Sequence, residues 1–195
     1  PSRNSLIDDL HGILGLTGTT AILATHDRLE ALRLANRLAV MEGGRIVQIG
    51  NCDEVMNHPV SETVAAFVGM ETVFSGVVQS VSDGLFTLSV AGRTIEAVGM
   101  AKPGETVVCS IRPENVVLSP DHDAAANETS ARNHLRATIA KIIPQGPFFK
   151  VHLDCGFFLV SYVTQQSLEQ LSLREGSAVR VSFKATAVHV IRRGA

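Results

Sequence analysis

Thr20-Ala-Ile-Leu-Ala-Thr25 is an almost unbroken apolar run that stops at His26-Asp27, with Glu30 three residues beyond Asp27. Such a run suits a strand buried on both faces of a parallel sheet, and the Asp27/Glu30 spacing marks a helix start. His26 is then aimed out of the carboxyl end of the sheet, where open α/β folds bind ligands. A second group of chemistry-bearing residues lies late in the chain. Ser130, Arg132 and Asn133 stand in Thr129-Ser-Ala-Arg-Asn133, Thr164 precedes a short helical segment, and Lys184 and Thr186 stand in Phe183-Lys-Ala-Thr-Ala-Val188. Ser130, Thr164 and Thr186 offer hydroxyls, Lys184 a compact positive charge, and the turn at 130–133 backbone N–H groups; Arg132 and Asn133 donate or fix the turn. None is a carboxylate. Such a set offers donors and no negative charge.

The remaining candidates carry less. His11, His58, His122, His134, His152 and His189 have no ligand-like spacing, and structural or solvent roles are expected for most of them. Asp121-His-Asp123 is too sparse for a metal site, and none is expected. Cys52, Cys109 and Cys155 are odd in number, scattered and without CxxC spacing. That pattern argues against a disulfide scaffold or zinc site, fits a reducing cytoplasm, and leaves the thiols as small buried hydrophobes. Lys+Arg 17 against Asp+Glu 19 gives a net charge of -2, too balanced for a dedicated nucleic-acid binder. With 45% hydrophobic and 18% charged residues the chain is globular, and its longest apolar stretches are far short of a membrane span.

The elements that must position these residues change character near Gly69. Before it, helix and strand alternate. Leu6, Ile7, Leu10, Ile13 and Leu14 make the stripe of a helix over 5–16, and Leu29, Leu32, Ala35 and Leu38 continue one after Asp27. Strands at 38–41 and 45–49 flank Gly43-Gly44, and short helices at 53–56 and 61–68 flank Pro59. This stretch has too few strands for a parallel sheet, so it reads as the end of a larger α/β domain. After Gly69 come short alternating strands at 73–81, 85–90, 93–97, 106–111, 116–119, 134–143, 148–153, 157–163, 178–183 and 188–191, with one helix at 165–171. That rhythm predicts small barrels. The polar stretch at 119–130 reads as a linker.

An internal repeat underlies the second half. Residues 71–78 align with 132–139 at an offset of 61, and 104–116 with 176–188 at an offset of 72. Arg112 therefore stands where Lys184 stands in the other copy. Glu114 stands where Thr186 stands and repels an anion, so the first copy is expected to hold no ligand.

The segment Ile22-Leu-Ala-Thr-His-Asp27 resembles the switch-histidine segment of ABC-transporter ATPases. The similarity continues through Ala39-Val-Met-Glu-Gly-Gly-Arg-Ile-Val-Gln-Ile-Gly50, Glu54-Val-Met-Asn-His-Pro59 and Val64-Ala-Ala-Phe-Val-Gly69, and it puts Pro1-Ser-Arg just after the family's D-loop. It implies a catalytic role for His26 toward the ATP γ-phosphate. Yet there is no G-x-x-x-x-G-K-[ST] loop, no Walker B carboxylate pair and no LSGGQ-type signature, and Gly-Lys does not occur at all. Phosphoryl transfer depends on those positioning groups, so the chain by itself is expected neither to bind nor to hydrolyse ATP. The segments at 129–133, 164, 168–173 and 183–188 resemble the molybdate/tungstate-binding Mop module and the TOBE domains appended to transporter ATPases.

Together the resemblances imply an α/β fragment at 1–70, a first TOBE-like OB-like barrel unit at 71–119, a linker at 120–129 and a Mop-like unit at 130–195. The parent they imply is the ATP-binding subunit of an oxyanion importer, using ATP and Mg, working as a homodimer on a membrane permease at the inner face of the cell membrane. Its barrel takes molybdate or tungstate through Ser130, Arg132, Asn133, Thr164, Lys184 and Thr186, one half-site per chain that a second subunit completes. Two alternatives stay open: a subunit for sugar, polyamine or iron whose barrel is purely structural, and a stand-alone oxyanion-binding protein with a vestigial ATPase stub.

Overall fold

The computed structural model describes residues 3–121 and 129–191. Pro1-Ser2, most of the expected linker, and His122 and Asp123 lie outside the described residues. The chain divides into Pro1–Val68 and Gly69–Ala195.

In the first unit, α1 (Arg3–Thr17), α2 (Arg28–Leu34), β1 (Arg37–Glu42), β2 (Arg45–Asn51), α3 (Cys52–Asn57) and α4 (Glu62–Phe67) follow in order. β1 and β2 form a two-stranded antiparallel hairpin. Its turn residues Gly43 and Gly44 both have positive φ, which the tight hairpin turn requires. The small core is made by Leu38, Val40, Val55, Met56, Val64, Ala65 and Val68. Gln48 holds the chain around Pro59, donating to the His58 carbonyl (3.0 Å) and accepting from the Val60 N–H (3.1 Å).

The strand expected at 20–25 does not form. Ile22 is 98% exposed, and Leu6, Leu10, Ile13 and Leu16 of α1 are exposed as well. An apolar run becomes a strand only when neighbours hydrogen-bond to it, and the one hairpin present pairs with itself.

The second unit contains β3 (Thr72–Ser82), β4 (Leu85–Val90), β5 (Arg93–Val98), β6 (Thr106–Ile111), β7 (Val117–Pro120), β8 (Asn133–Gln145), β9 (Phe148–Asp154), β10 (Phe158–Val163), α5 (Gln165–Gln170), β11 (Ala178–Phe183) and β12 (His189–Ile191). These are the expected strands within two residues at each end. They build two open five-stranded sheets in place of the expected closed barrels. One has the order β12-β6-β3-β4-β5, the other β7-β11-β8-β9-β10. The orders correspond strand for strand under the internal repeat, except that the two copies exchange their last strands. β7 pairs with β11 of the other copy, and β12 with β6. Residues 71–119 and 130–195, the two related β units of the repeat, share strands and one continuous core, in which Phe86, Leu88, Ile95 and Ile111 join Ile139, Leu153, Leu159 and Phe183.

The repeat extends to irregularities. The β3–β4 pairing is bulged between Val78 and Ser80, and β8–β9 between Ile139 and Lys141, both at the offset of 61. Val78 N–H donates to the Glu105 carbonyl and Gly104 N–H to the Val78 carbonyl; Ile139, Ser177 and Gly176 repeat the arrangement. A pattern with few identities encodes the same bends because alternation and turn residues, more than particular side chains, set register.

Candidate functional site

β8 and β11 run antiparallel with Asn133 opposite Phe183. The segment 130–132 therefore leaves β8 where Lys184–Thr186 leaves β11, and the two donor-rich segments meet. The 3-10 turn Ala185–Ala187 packs on β5, the edge strand of the other sheet. Asn133, buried, faces the same strand: its side-chain oxygen accepts from the Glu96 N–H (2.7 Å) and its amide donates to the Glu96 carbonyl (2.9 Å). An edge strand has unpaired backbone groups pointing outward, and Asn133 satisfies both at Glu96.

His134 fastens the turn. Its Nε2 donates to the Ala131 carbonyl (2.8 Å), which leaves Nδ1 to accept from Ser182 Oγ (3.0 Å). Thr129 Oγ1 accepts from the Ala131 N–H (3.2 Å). Ser130, Lys184 and Thr186 are exposed. Arg132 is turned to Glu96, with Nη1 3.1 Å from the carboxylate. The donor set is thus not free of carboxylate, as local sequence had suggested. Glu96 arrives from the opposite sheet, 36 residues away in sequence.

Thr164 stands apart. It follows β10, whose last residue Val163 pairs with Phe149, which itself lies opposite Pro144 near the far end of β8. There Thr164 caps α5, accepting from the Ser167 N–H (3.1 Å). Within one chain it does not join Ser130, Arg132 and Lys184.

The equivalent place in the first copy is built alike with other groups. Thr72, which the repeat sets against Asn133, accepts from the N–H of Val160 on the edge strand β10 (2.9 Å). Glu71, which corresponds to Arg132, accepts from Tyr162 Oη (2.6 Å) and is ion-paired to Lys150. Arg112 pairs with Glu114 (3.5 Å). Each copy therefore bonds the edge strand of the other with a side chain at the start of its first strand. Beside that bond lies an ion pair of reversed polarity.

A match to the TOBE domain covers residues 129–190. Residues 129–190 are a TOBE domain. The relatives extend the likeness along nearly the whole chain. It is 36% identical over 180 residues to the molybdate/tungstate import ATP-binding protein WtpC of Pyrococcus abyssi, covering 89% of this chain and 47% of that protein. Over 181 residues it is 29% identical to the spermidine/putrescine import ATP-binding protein PotA of Pseudomonas aeruginosa, covering 90% and 49%. Against the sn-glycerol-3-phosphate import ATP-binding protein UgpC 1 of Rhizobium johnstonii it is 37% identical over 118 residues, covering 58% and 31%. The chain spans about half the length of WtpC and PotA, and it is homologous to the C-terminal half of WtpC. Among solved structures, the cytoplasmic molybdate-binding protein ModG with molybdate bound superposes with a TM-score of 0.53 at 24% identity, covering 62% of this chain and 94% of that one. That likeness concerns the fold. Arg132 and Asn133, both within the TOBE match, thus bond Glu96 of the opposite sheet, and the strand register sets 130–132 beside 184–186.

Glu96 and His134 escaped the sequence reading as parts of this group. The repeat carried one signal: it aligns Thr72 with Asn133, two hydrogen-bonding side chains at strand starts.

In the first unit His26 is exposed, on a bend before Asp27. Asp27 caps α2 as expected, accepting from the Leu29 N–H (2.9 Å) and the Glu30 N–H (3.3 Å). Thr25 Oγ1 accepts from the Asp27 N–H (3.0 Å) and donates to Glu30 (2.6 Å), a relay in place of the direct capping box. One imidazole on an exposed segment, without a phosphate loop in the sequence, does not fit ATP and Mg. Among the described residues no three His, Cys, Asp or Glu side chains could hold a metal, and no helix is long and apolar enough to cross a membrane.

Proposed function

We propose that the chain is the carboxyl-terminal part of the ATP-binding subunit of an ABC importer for molybdate or tungstate, and that its TOBE unit binds that oxyanion. The observation that carries this reading is the Asn133–Phe183 register, which brings Ser130–Arg132 beside Lys184–Thr186. Similarity to WtpC, named for molybdate/tungstate import, supports the oxyanion class. Lys184 supplies the charge, Ser130 and Thr186 the hydroxyls, the turn its N–H groups, and Arg132 a second cation. Charge-assisted bonds of this kind contribute roughly 1.5–3 kcal/mol each. Thr164 reaches the group only from a second copy, so the complete site belongs to a homodimer. In such an ATP-binding subunit, ATP and Mg belong to the ATPase domain, to which His26 contributes. Work is then done on a membrane permease from the cytoplasmic side, with the bound anion restraining further uptake. Restraint of that kind requires the anion to favour one state of the dimer.

Titration of the chain with molybdate, tungstate and sulfate tests the reading. Saturable binding of the first two below ~100 μM supports it. No heat and no bound metal at that concentration overturns it.

A second reading has its own support. The Arg132–Glu96 pair neutralises one cation of the group, and PotA and UgpC serve other solutes by name. On this reading the unit is purely structural in an importer for a different solute, and the same titration is silent.

A further inference from the structure

We infer that Glu96 is an internal competitor for the anion: its carboxylate occupies Arg132, and an incoming oxyanion must displace it. The inference rests on the oxyanion reading above and adds what sets the affinity of the site. Three observations place Glu96 there. Asn133 fixes its backbone from both sides, so the side chain issues from a stationary point. Its carboxylate lies 3.1 Å from Arg132 Nη1, in a pair of which 58% of the arginine and 32% of the glutamate side chain remain exposed. The turn that carries Lys184 and Thr186 packs on the same strand. A bound dianion therefore faces the negative charge of Glu96 and draws on the cation that Glu96 holds.

Partly exposed ion pairs are weak and exchange with solutes. Glu96 is thus a brake on affinity. The first copy shows what a stronger version does. There Glu71 accepts from Tyr162 and pairs with Lys150, both groups less exposed than Arg132.

Calorimetric titration of molybdate into the full chain and into Glu96→Gln tests this. The substitution removes the charge and leaves the backbone contact of Asn133 intact. The expected result is about three- to tenfold tighter binding at low salt, the gain shrinking as ionic strength rises. The gain disappears when Arg132→Ala is combined with Glu96→Gln. Glu105→Gln, which removes an exposed carboxylate outside the group, leaves affinity unchanged and controls for net charge. Binding by the variant when the native chain is silent also supports the brake. Equal or weaker binding by Glu96→Gln, with the native chain binding, overturns the brake and leaves the oxyanion site standing. Silence from both proteins overturns the two together.

Discussion

Asn133 holds Glu96 by both backbone groups, N–H and C=O, at 2.7 and 2.9 Å. The pair joins the first strand of one repeat copy to an edge strand of the opposite sheet, and Thr72 with Val160 repeats it with a single bond. Two repeat copies that exchange their last strands are thereby also tied at one edge strand of each sheet, β5 and β10.

Asn133→Ala is expected to cost about 2–3 kcal/mol, because two edge-strand groups lose their partner beside a buried position. Thr72→Val, which removes one bond at nearly constant volume, costs about 1 kcal/mol. Urea denaturation of the full chain, followed on the β signal, gives both values. A larger loss from Thr72→Val reverses the expected order.

For the proposed site, Lys184→Ala and Arg132→Ala each weaken molybdate binding about tenfold or more, as loss of a charge-assisted contact requires. Thr164→Ala weakens it only in dimeric material. Mixing Thr164→Ala chains with Lys184→Ala chains then restores some sites of native affinity in the heterodimer. Unchanged affinity for Thr164→Ala at concentrations where the chain is dimeric assigns that threonine to capping α5 alone.

The thiols divide by environment. Cys109 and Cys155 are buried and free, and burial pushes both up to about 12; for Cys155 the Asp154 carboxylate adds to this. At about pH 8 neither is expected to react with a thiol reagent in the native chain, while half-buried Cys52 reacts first. Mass spectrometry of alkylated peptides checks the order. Because the folded values lie above the unfolded one, the stability these thiols contribute is complete below about pH 9 and falls away as pH rises toward 12. Cys109→Ala flattens that alkaline loss.

His152 behaves in the opposite sense. Its Nε2 is covered, with no hydrogen-bond partner among the described residues, and its ring lies edge-on to Phe158 at 5.1 Å. Burial first, then the Lys150 charge, holds its pKa below the usual histidine value; Lys141 adds to this and Glu71 opposes it. Stability linked to His152 is therefore present above about pH 6.5 and is lost as pH falls below it. His152→Phe removes that acid-side slope in denaturation curves measured from about pH 7 to 5. An unchanged slope assigns the acid sensitivity to other groups.

Alternation and turn residues determined almost every strand after Gly69, because a period of two and a turn such as Asp83-Gly84, with positive φ at both positions, act over a few residues. The repeat at offsets of 61 and 72 was legible for the same reason. The apolar run at 20–25 read as a buried strand, but periodicity reports what a segment can bury and not whether partners are present. The strand exchange of β7 and β12, the separation of Thr164 from Ser130, and the arrival of Glu96 at Arg132 were decided only in three dimensions. Each depends on which edge of one sheet meets which end of the other. That choice is fixed by the fit of a whole core and by backbone groups that must find partners, quantities no short window of sequence contains.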